Sequence, residues 1–263
     1  MNVGSLFSGI GGFDLGLERA GFTIIWQVEH DAYCQKVLRK HWPAVPCHHD
    51  ITTIQWRDIP SVDLVCGGFP CQPFSVAGQQ KGQADDRYLW PEVVRCLATL
   101  RPAWFLGENV PGLIHLALDQ VCTDLESLGY QVWPVCVPAC AVDAPHIRQR
   151  IWIVAYHKDK RVRRRKQQSE GSKGEGHVAD ANGLQIDRQR SGGFQSIAPQ
   201  YSRWPVEPAV GRVADGIPRR LDRLKGLGNA VVPQIVEALG RMILQVQKDN
   251  DAPPLDRTGF QGL

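Results

Sequence analysis

The first 21 residues contain the pattern that most restricts the fold of this chain: a strand, a glycine-rich turn and a helix in immediate succession. Residues 3–7 have strand character, residues 8–12 carry three glycines, and residues 13–20 have helical spacing before Gly21, a good helix end. Glycine lets backbone approach a ligand closely, and a helix N-terminus favours negative charge. The pattern predicts a nucleotide-type α/β fold, although Asp14 occupies the last glycine position of the dinucleotide fingerprint.

Strands and helices continue to alternate as far as residue 156. In open α/β sheets ligands bind beyond the carboxyl ends of the strands, so residues that follow a strand are candidates for function. Glu29 follows the second strand, about 20 positions after the glycine turn, where an acid can bind both hydroxyls of a ribose. Further strands are predicted at residues 22–28, 45–48, 62–66, 103–107, 130–142 and 151–156, and further helices at 31–40, 90–101, 113–128 and 233–246.

The segment GGFPCQPFS at residues 67–75 follows a buried strand and places Cys71 between two prolines. Proline fixes its own backbone and holds the preceding residue extended, so Cys71 is expected on a stiff loop at a strand's carboxyl end. A lone cysteine is usually a buried, inert thiol. This loop is too polar and too constrained for plain core packing, so a nucleophilic thiol stays open. The eight cysteines include no Cys-x-x-Cys pair, which argues against a disulfide framework and a zinc ribbon, and no metal is predicted.

Two further polar groups lie beside predicted strand ends. Glu108 follows the strand at residues 103–107, and Arg148 and Arg150 occupy alternate positions that face the same side of a strand. Together with the glycine turn, Glu29 and Cys71, these residues form a constellation at one edge of the sheet.

Charge is distributed unevenly along the chain. The net charge is +3, but residues 158–225 contain 16 Lys/Arg and 8 Asp/Glu and therefore carry +8, which leaves −5 elsewhere. Seven basic residues fall within residues 158–166. A basic segment beside a candidate catalytic loop favours a nucleic-acid partner over a merely solvated face. No apolar run reaches the roughly 18 residues of a membrane span, and no signal peptide is seen, so a cytoplasmic protein without a membrane partner is expected.

In the order and spacing of these motifs the chain closely resembles the DNA (cytosine-5)-methyltransferases of bacterial and phage restriction-modification type. The resemblance covers residues 3–156 and 226–240, and GGFPCQPFS is its most diagnostic stretch. It implies a Rossmann-like S-adenosylmethionine-dependent methyltransferase fold, with a mostly parallel sheet, helices on both faces and a small irregular target-recognition lobe. It implies S-adenosylmethionine as cofactor, bound by Phe7, Gly9, Gly11, Gly12, Glu29, Asp50, Ile51, Gly68, Pro70, Leu89, Asn229 and Ala230.

The resemblance also implies catalytic and DNA-binding roles. Cys71 would add to C6 of a cytosine flipped out of duplex DNA, and Glu108 would stabilise the ring as a general acid or hydrogen-bond donor near N3. Arg148 or Arg150 would hold the O2 of the base or a nearby phosphate. The DNA-binding residues would be Gln72, Ser75, Arg163, Arg164 and Arg165.

The implied organisation has four parts: residues 1–157 as the catalytic and cofactor-binding domain, 158–225 as the basic recognition lobe, 226–247 as a return to the catalytic domain, and 248–263 as a tail. His146, His49 and the missing block before residue 226 depart from the family pattern, and the last leaves the DNA target unreadable. A monomer is expected, and a cognate restriction endonuclease is an open partner.

The sequence leaves alternative functions open. The same chemistry on tRNA shares the nucleophile loop, and a catalytically idle nucleic-acid-binding relative would share the fold. The broken glycine fingerprint disfavours an NAD dehydrogenase. Amino-methylating enzymes are disfavoured because their Asp/Asn-Pro-Pro-aromatic loop does not occur.

Overall fold

A seven-stranded sheet forms the centre of the protein in the computed structural model, which describes residues 1–70, 89–157 and 220–251. The strands are β1 (Asn2–Leu6), β2 (Thr23–Val28), β3 (Cys47–His48), β4 (Leu64–Gly67), β5 (Trp104–Asn109), β6 (Tyr130–Pro138) and β7 (Gln149–His157). Their order across the sheet is β3-β2-β1-β4-β5-β7-β6. Strands β1 to β5 pair in parallel, and β7 pairs antiparallel with both β5 and β6. The predicted Rossmann-like, mostly parallel sheet is confirmed.

Helices cover both faces of this sheet. They are α1 (Gly12–Ala20), α2 (Ala32–His41), α3 (Trp90–Leu100), α4 (Leu113–Leu116), α5 (Leu118–Ser127), α6 (Arg220–Asn229) and α7 (Pro233–Asp251), with short 3₁₀ turns at Ile51–Thr53, Trp56–Asp58 and Ala139–Val142. Side chains alternate across the central strands: Phe105 packs into a core with α3 and α5, whereas Trp104 and Leu106 pack into a second core with α1 and α7. Burial on both faces explains why these strands are continuously apolar. No helix within the described residues is long and apolar enough to cross a membrane.

Helix α7 packs directly on α1, although more than 200 residues separate them in sequence. A Cβ atom on Gly16 would lie 2.5 Å from the carbonyl oxygen of Pro233, and a Cβ on Gly240 would lie 2.9 Å from the Cβ of Ala20. Glycine at these positions lets the two helices approach closely. The chain therefore returns, after residue 219, to its own first helix.

Five elements differ clearly from the sequence expectation. The strand expected at residues 130–142 ends at Pro138, where the 3₁₀ turn Ala139–Val142 begins, and the helix expected at 233–246 continues to Asp251, into the residues expected as a tail. The third strand contains only Cys47–His48, because it lies at the sheet edge and pairs only with the end of β2. The helix expected at residues 113–128 is divided at Ala117, whose backbone (φ −155°, ψ 3°) is not helical. The segment at residues 226–231, expected as a tight turn, is helical as far as Asn229. Within this helix, α6, Gly226 packs against Ile10.

Candidate active site

The carboxyl ends of β1, β2, β4 and β5 bring the predicted site residues to one edge of the sheet. Phe7 follows β1, Glu29 follows β2, Gly68 follows β4, and Glu108 lies near the end of β5. Parallel pairing makes this convergence unavoidable, because all four strands end on the same side.

The glycine turn between β1 and α1 holds the carboxylate of Glu29. Phe7, Gly9 and Gly11 all have positive φ angles, of 50°, 57° and 88°. The backbone N–H of Gly9 donates to Oε2 of Glu29 at 2.7 Å, and the N–H of Asp31 donates to Oε1 at 2.7 Å. Each carboxylate oxygen can accept more than one hydrogen bond, so Glu29 is oriented and retains acceptor capacity for a ligand diol.

A buried polar cluster lies beneath this turn. Asp14 is fully buried, and its carboxylate accepts hydrogen bonds from Gln27 Nε2 at 2.7 Å and from Ser5 Oγ at 3.1 Å. The hydroxyl of Ser8 lies within hydrogen-bond distance of two acceptors on Ser5, the carbonyl oxygen and Oγ. Burial raises the pKa of Asp14 to about 6, although both hydrogen bonds lower it. In the sequence, Asp14 is visible only as a break in a glycine motif; its place between Phe13 and Leu17, on the buried face of α1, is the signal that indicates burial.

The root of the Cys71 loop is fixed to β5. Asn109 is buried; its Nδ2 donates to the carbonyl oxygen of Phe69 at 3.0 Å, and its Oδ1 accepts from the N–H of Val110 at 2.9 Å. The ring of Phe69 packs against Trp90, with 4.7 Å between ring centroids. The described residues on this side end at Pro70; Cys71, Gln72 and Ser75 lie outside them.

Glu108 lies against this root and pairs with Arg150. Its side chain is buried, Oε1 is 2.9 Å from Nε of Arg150, and a Cβ on Gly68 would lie 2.9 Å from Oε2. Burial raises the pKa of Glu108 to about 7, while the charges of Arg150 and Arg148 act in the opposite direction. The carboxyl group can therefore be protonated near neutral pH, as a hydrogen-bond donor to a base requires.

The two arginines have different partners. Arg150 contacts Glu108, whereas Nη2 of Arg148 donates to the carbonyl oxygens of Gly228, at 2.7 Å, and Ala230, at 2.8 Å. Burial and the neighbouring charge of Arg150 lower the pKa of Arg148. Their alternate spacing predicted equivalent roles for the two arginines, whereas in the structure they contact different partners.

The remaining cofactor candidates surround the same edge. Asp50 caps the turn at Ile51–Thr53 and accepts from the N–H and Oγ1 of Thr52, which lowers its pKa. Ile51 is buried, and Leu89 packs partly buried at the start of α3. Asn229 is the last residue of α6, exposed beside Ala230.

An open cavity of about 460 Å³ adjoins Asp50. Its wall includes His49, whose ring stacks on His30 with 4.4 Å between centroids and contacts Gln35 Nε2 at 2.7 Å. This imidazole pair was not predicted from the sequence, in which His49 is only a departure from the family pattern.

The sequence also led to expectations for DNA-binding arginines and for metal ligands. The DNA-binding candidates Arg163, Arg164 and Arg165 lie outside the described residues. Among the residues that the structure describes, no group of three or more His, Cys, Asp or Glu side chains could hold a metal ion.

The described residues place a glycine turn, two acidic side chains and two arginines at one edge of a mostly parallel sheet, and sequence comparison gives the family. The C-5 cytosine-specific DNA methylase family model matches residues 1–203. The chain belongs to this family.

Curated relatives are type II methyltransferases. M.HgiCII of Herpetosiphon aurantiacus is 38% identical over 157 residues, covering 57% of this chain and 36% of the relative. M.FnuDI of Fusobacterium nucleatum is 37% identical over 164 residues, covering 60% and 48%. M.BsuFI of Bacillus subtilis is 38% identical over 159 residues, covering 59% and 39%. The matched part thus spans less than half the length of each of these relatives.

Solved structures agree with the fold. A DNA modification methyltransferase encoded within an E. coli prophage superposes with a TM-score of 0.52 at 28% identity, covering 61% of this chain and 47% of that protein. DNMT2 of Spodoptera frugiperda superposes with a TM-score of 0.53 at 22% identity, covering 60% and 50%. The second likeness supports the fold alone.

Proposed function

We propose that this protein is a DNA (cytosine-5)-methyltransferase that methylates C5 of a cytosine flipped out of duplex DNA. The observation that carries the proposal is the pairing of buried Glu108 with partly exposed Arg150, with Glu108 lying against Gly68 at the root of the Cys71 loop. Activation of cytosine C5 requires a thiolate, a carboxyl group that can be protonated and a guanidinium. The sequence supplies the thiol at Cys71, directly after the described residue Pro70, and Glu108 and Arg150 supply the other two groups.

The residues beyond β1 and β2 fit S-adenosylmethionine. The positive-φ turn at Phe7, Gly9 and Gly11 presents backbone to the sheet edge, and Glu29 is held there as an oriented acceptor for ribose hydroxyls. When bound, this cofactor supplies an electrophilic methyl group. The remaining cofactor residues in this proposal are Gly12, Asp50, Ile51, Gly68, Pro70, Leu89, Asn229 and Ala230.

Cys71 and Glu108 would act on opposite sides of the same pyrimidine. The Cys71 thiolate bonds to C6, and the electrons of the C5–C6 double bond become available at C5 while charge is drawn toward N3. Glu108 donates its proton or a hydrogen bond at N3, and Arg150 keeps the carboxyl group oriented. After methyl transfer, a base removes the C5 proton, the double bond re-forms with expulsion of the Cys71 thiolate, and any proton given to N3 returns to the Glu108 carboxylate.

The basic segment at residues 158–225 would bind the DNA, with Arg163, Arg164 and Arg165 on phosphates and Gln72 and Ser75 beside the flipped base. Because the chain matches less than half of its relatives' length, its target sequence and any cognate restriction endonuclease belong to the proposal rather than to the family assignment.

A covalent trap tests this function. Fluorine at C5 cannot leave as a cation, so duplex DNA carrying 5-fluorocytosine at many positions should stall as a protein–DNA adduct that survives denaturing electrophoresis. The adduct should require S-adenosylmethionine, disappear in Cys71→Ala and persist in Cys136→Ala, because Cys136 is an exposed, free cysteine on β6.

The trap also separates the competing functions. Adducts on fluorinated tRNA and none on DNA would move the substrate to RNA. Absence of any adduct, with cofactor binding intact, would establish an idle relative instead of an enzyme.

A further inference from the structure

Arg148 lies at the catalytic edge, but its side chain reaches a segment 80 residues away in sequence. Its Nη2 donates to Gly228 at 2.7 Å and to Ala230 at 2.8 Å, both through backbone carbonyl oxygens. Gly228 lies in the last turn of α6 and Ala230 directly follows the helix, where helix carbonyls lack intrahelical donors and a cation is favoured by the helix dipole. The guanidinium therefore caps α6 at the junction with α7.

This junction lies across the glycine turn. A Cβ on Gly226 would lie 3.1 Å from Cγ2 of Ile10, and a Cβ on Gly12 would lie 2.9 Å from Cγ2 of Val231. The residues between Gly226 and Val231 are thus held at the turn by these packing contacts and by the hydrogen bonds from Arg148. This segment includes Asn229 and Ala230, which are proposed to contact the cofactor.

Arg148 makes these contacts although its backbone is strained and one of its side-chain nitrogens has no hydrogen-bond partner in the part of the chain that the structure describes. Its φ angle is +22°, a value that side-chain-bearing residues rarely adopt, and its Nε is buried with no hydrogen-bond partner among the described residues. Strain of this kind persists only where surrounding structure enforces it, and it concentrates at functional positions. Glu108 and Arg150 are its charged neighbours, and both influence its pKa.

We propose that Arg148 is a positioning residue that closes the cofactor pocket by fixing the α6–α7 junction over the glycine turn, while Arg150 makes the ion pair that orients Glu108. The proposal rests on the proposed function, because it assigns Arg148 to the binding of S-adenosylmethionine rather than to the base. Since α6 begins at Arg220, within the basic segment of residues 158–225, the same two hydrogen bonds connect the end of that segment to the catalytic domain.

Three variants of the full-length protein separate this role from a general structural one. Arg148→Met removes the donors and keeps similar side-chain bulk, Arg148→Lys keeps the charge and an ammonium donor, and Arg150→Met is the matched control. Isothermal calorimetry with S-adenosylmethionine should show about tenfold weaker binding in Arg148→Met, the lower end of the loss expected for one charge-assisted hydrogen bond, because Arg148 acts on the pocket and not on the ligand itself. Arg148→Lys should recover most of the affinity, and Arg150→Met should remain within twofold of the parent.

Amide hydrogen exchange without cofactor provides a second readout. In Arg148→Met the amides of residues 226–231 should exchange faster, whereas Arg150→Met should leave them unchanged. Parent-like affinity and exchange in Arg148→Met, or equal losses in the two Met variants, would overturn the proposal. A parent protein that binds no S-adenosylmethionine would refute the proposed function and the pocket-closing role together, and the exchange data would still decide whether Arg148 holds the junction.

Discussion

Asp14 provides a quantitative test of the buried cluster beneath the glycine turn. Its carboxylate is fully buried, accepts from Gln27 and Ser5, and has a pKa raised from 3.8 to about 6, chiefly by burial. Glu18, on the same helix, raises the pKa further. A folded-state pKa above the unfolded value means that the native protein binds more protons between these two pH values. The contribution of Asp14 to stability is therefore fully present below about pH 4 and is lost as the pH rises through 6.

The magnitude follows from this shift of the pKa from 3.8 to about 6. At 1.36 kcal/mol per pKa unit, ionised Asp14 costs the fold about 3 kcal/mol at alkaline pH, and about 1.4 kcal/mol of that loss falls between pH 5 and pH 8. Asp14→Asn keeps a carbonyl acceptor for Gln27 and removes the titration. The free energy of unfolding of Asp14→Asn minus that of the parent should therefore rise by about 1.4 kcal/mol between pH 5 and pH 8.

Urea unfolding followed by tryptophan fluorescence at pH 5, 6, 7 and 8 measures this difference. Asp119→Asn, on an exposed position of α5, is the matched control and should give a difference that does not change with pH. A difference for Asp14→Asn that stays constant, or that falls as the pH rises, would show that Asp14 is not a buried ionisable group of raised pKa.

Two predictions concern catalysis and substrate. Because the pKa of Glu108 is about 7 and the protonated form is the proposed donor, trapping rates should fall above neutral pH; Glu108→Gln should be slowed by roughly 10²–10⁴-fold and lose this pH dependence. The charge of Arg150 lowers the pKa of Glu108, so in Arg150→Met the trapping rate should begin to fall at a higher pH. If the pH of this fall does not change, Glu108 is not the group that causes it. Replacing the basic residues of Lys160–Lys166 with Gln should weaken binding to all duplex sequences and flatten its salt dependence, as a filter-binding titration would measure; an unaltered slope would mean that this run makes no phosphate contacts.

Local pattern was sufficient to predict the strand–turn–helix opening, the acid after β2 and the glutamate at the end of β5. These features depend on chain neighbours: apolar runs make strands, glycines permit positive φ, and parallel strands that alternate with helices must end on one edge. The family resemblance was likewise carried by short motifs, and the match over residues 1–203 confirms it.

Tertiary structure decided how those residues are used. The sequence placed Arg148 and Arg150 on one face as equivalents, and only the return of α6 gave Arg148 the carbonyls of Gly228 and Ala230 while Arg150 kept Glu108. Asp14 was legible only as a broken motif, because a carboxylate's pKa is set by what is packed around it. Burial, pairing and close helix contact join residues that are far apart in the chain, so no window along the sequence contains them.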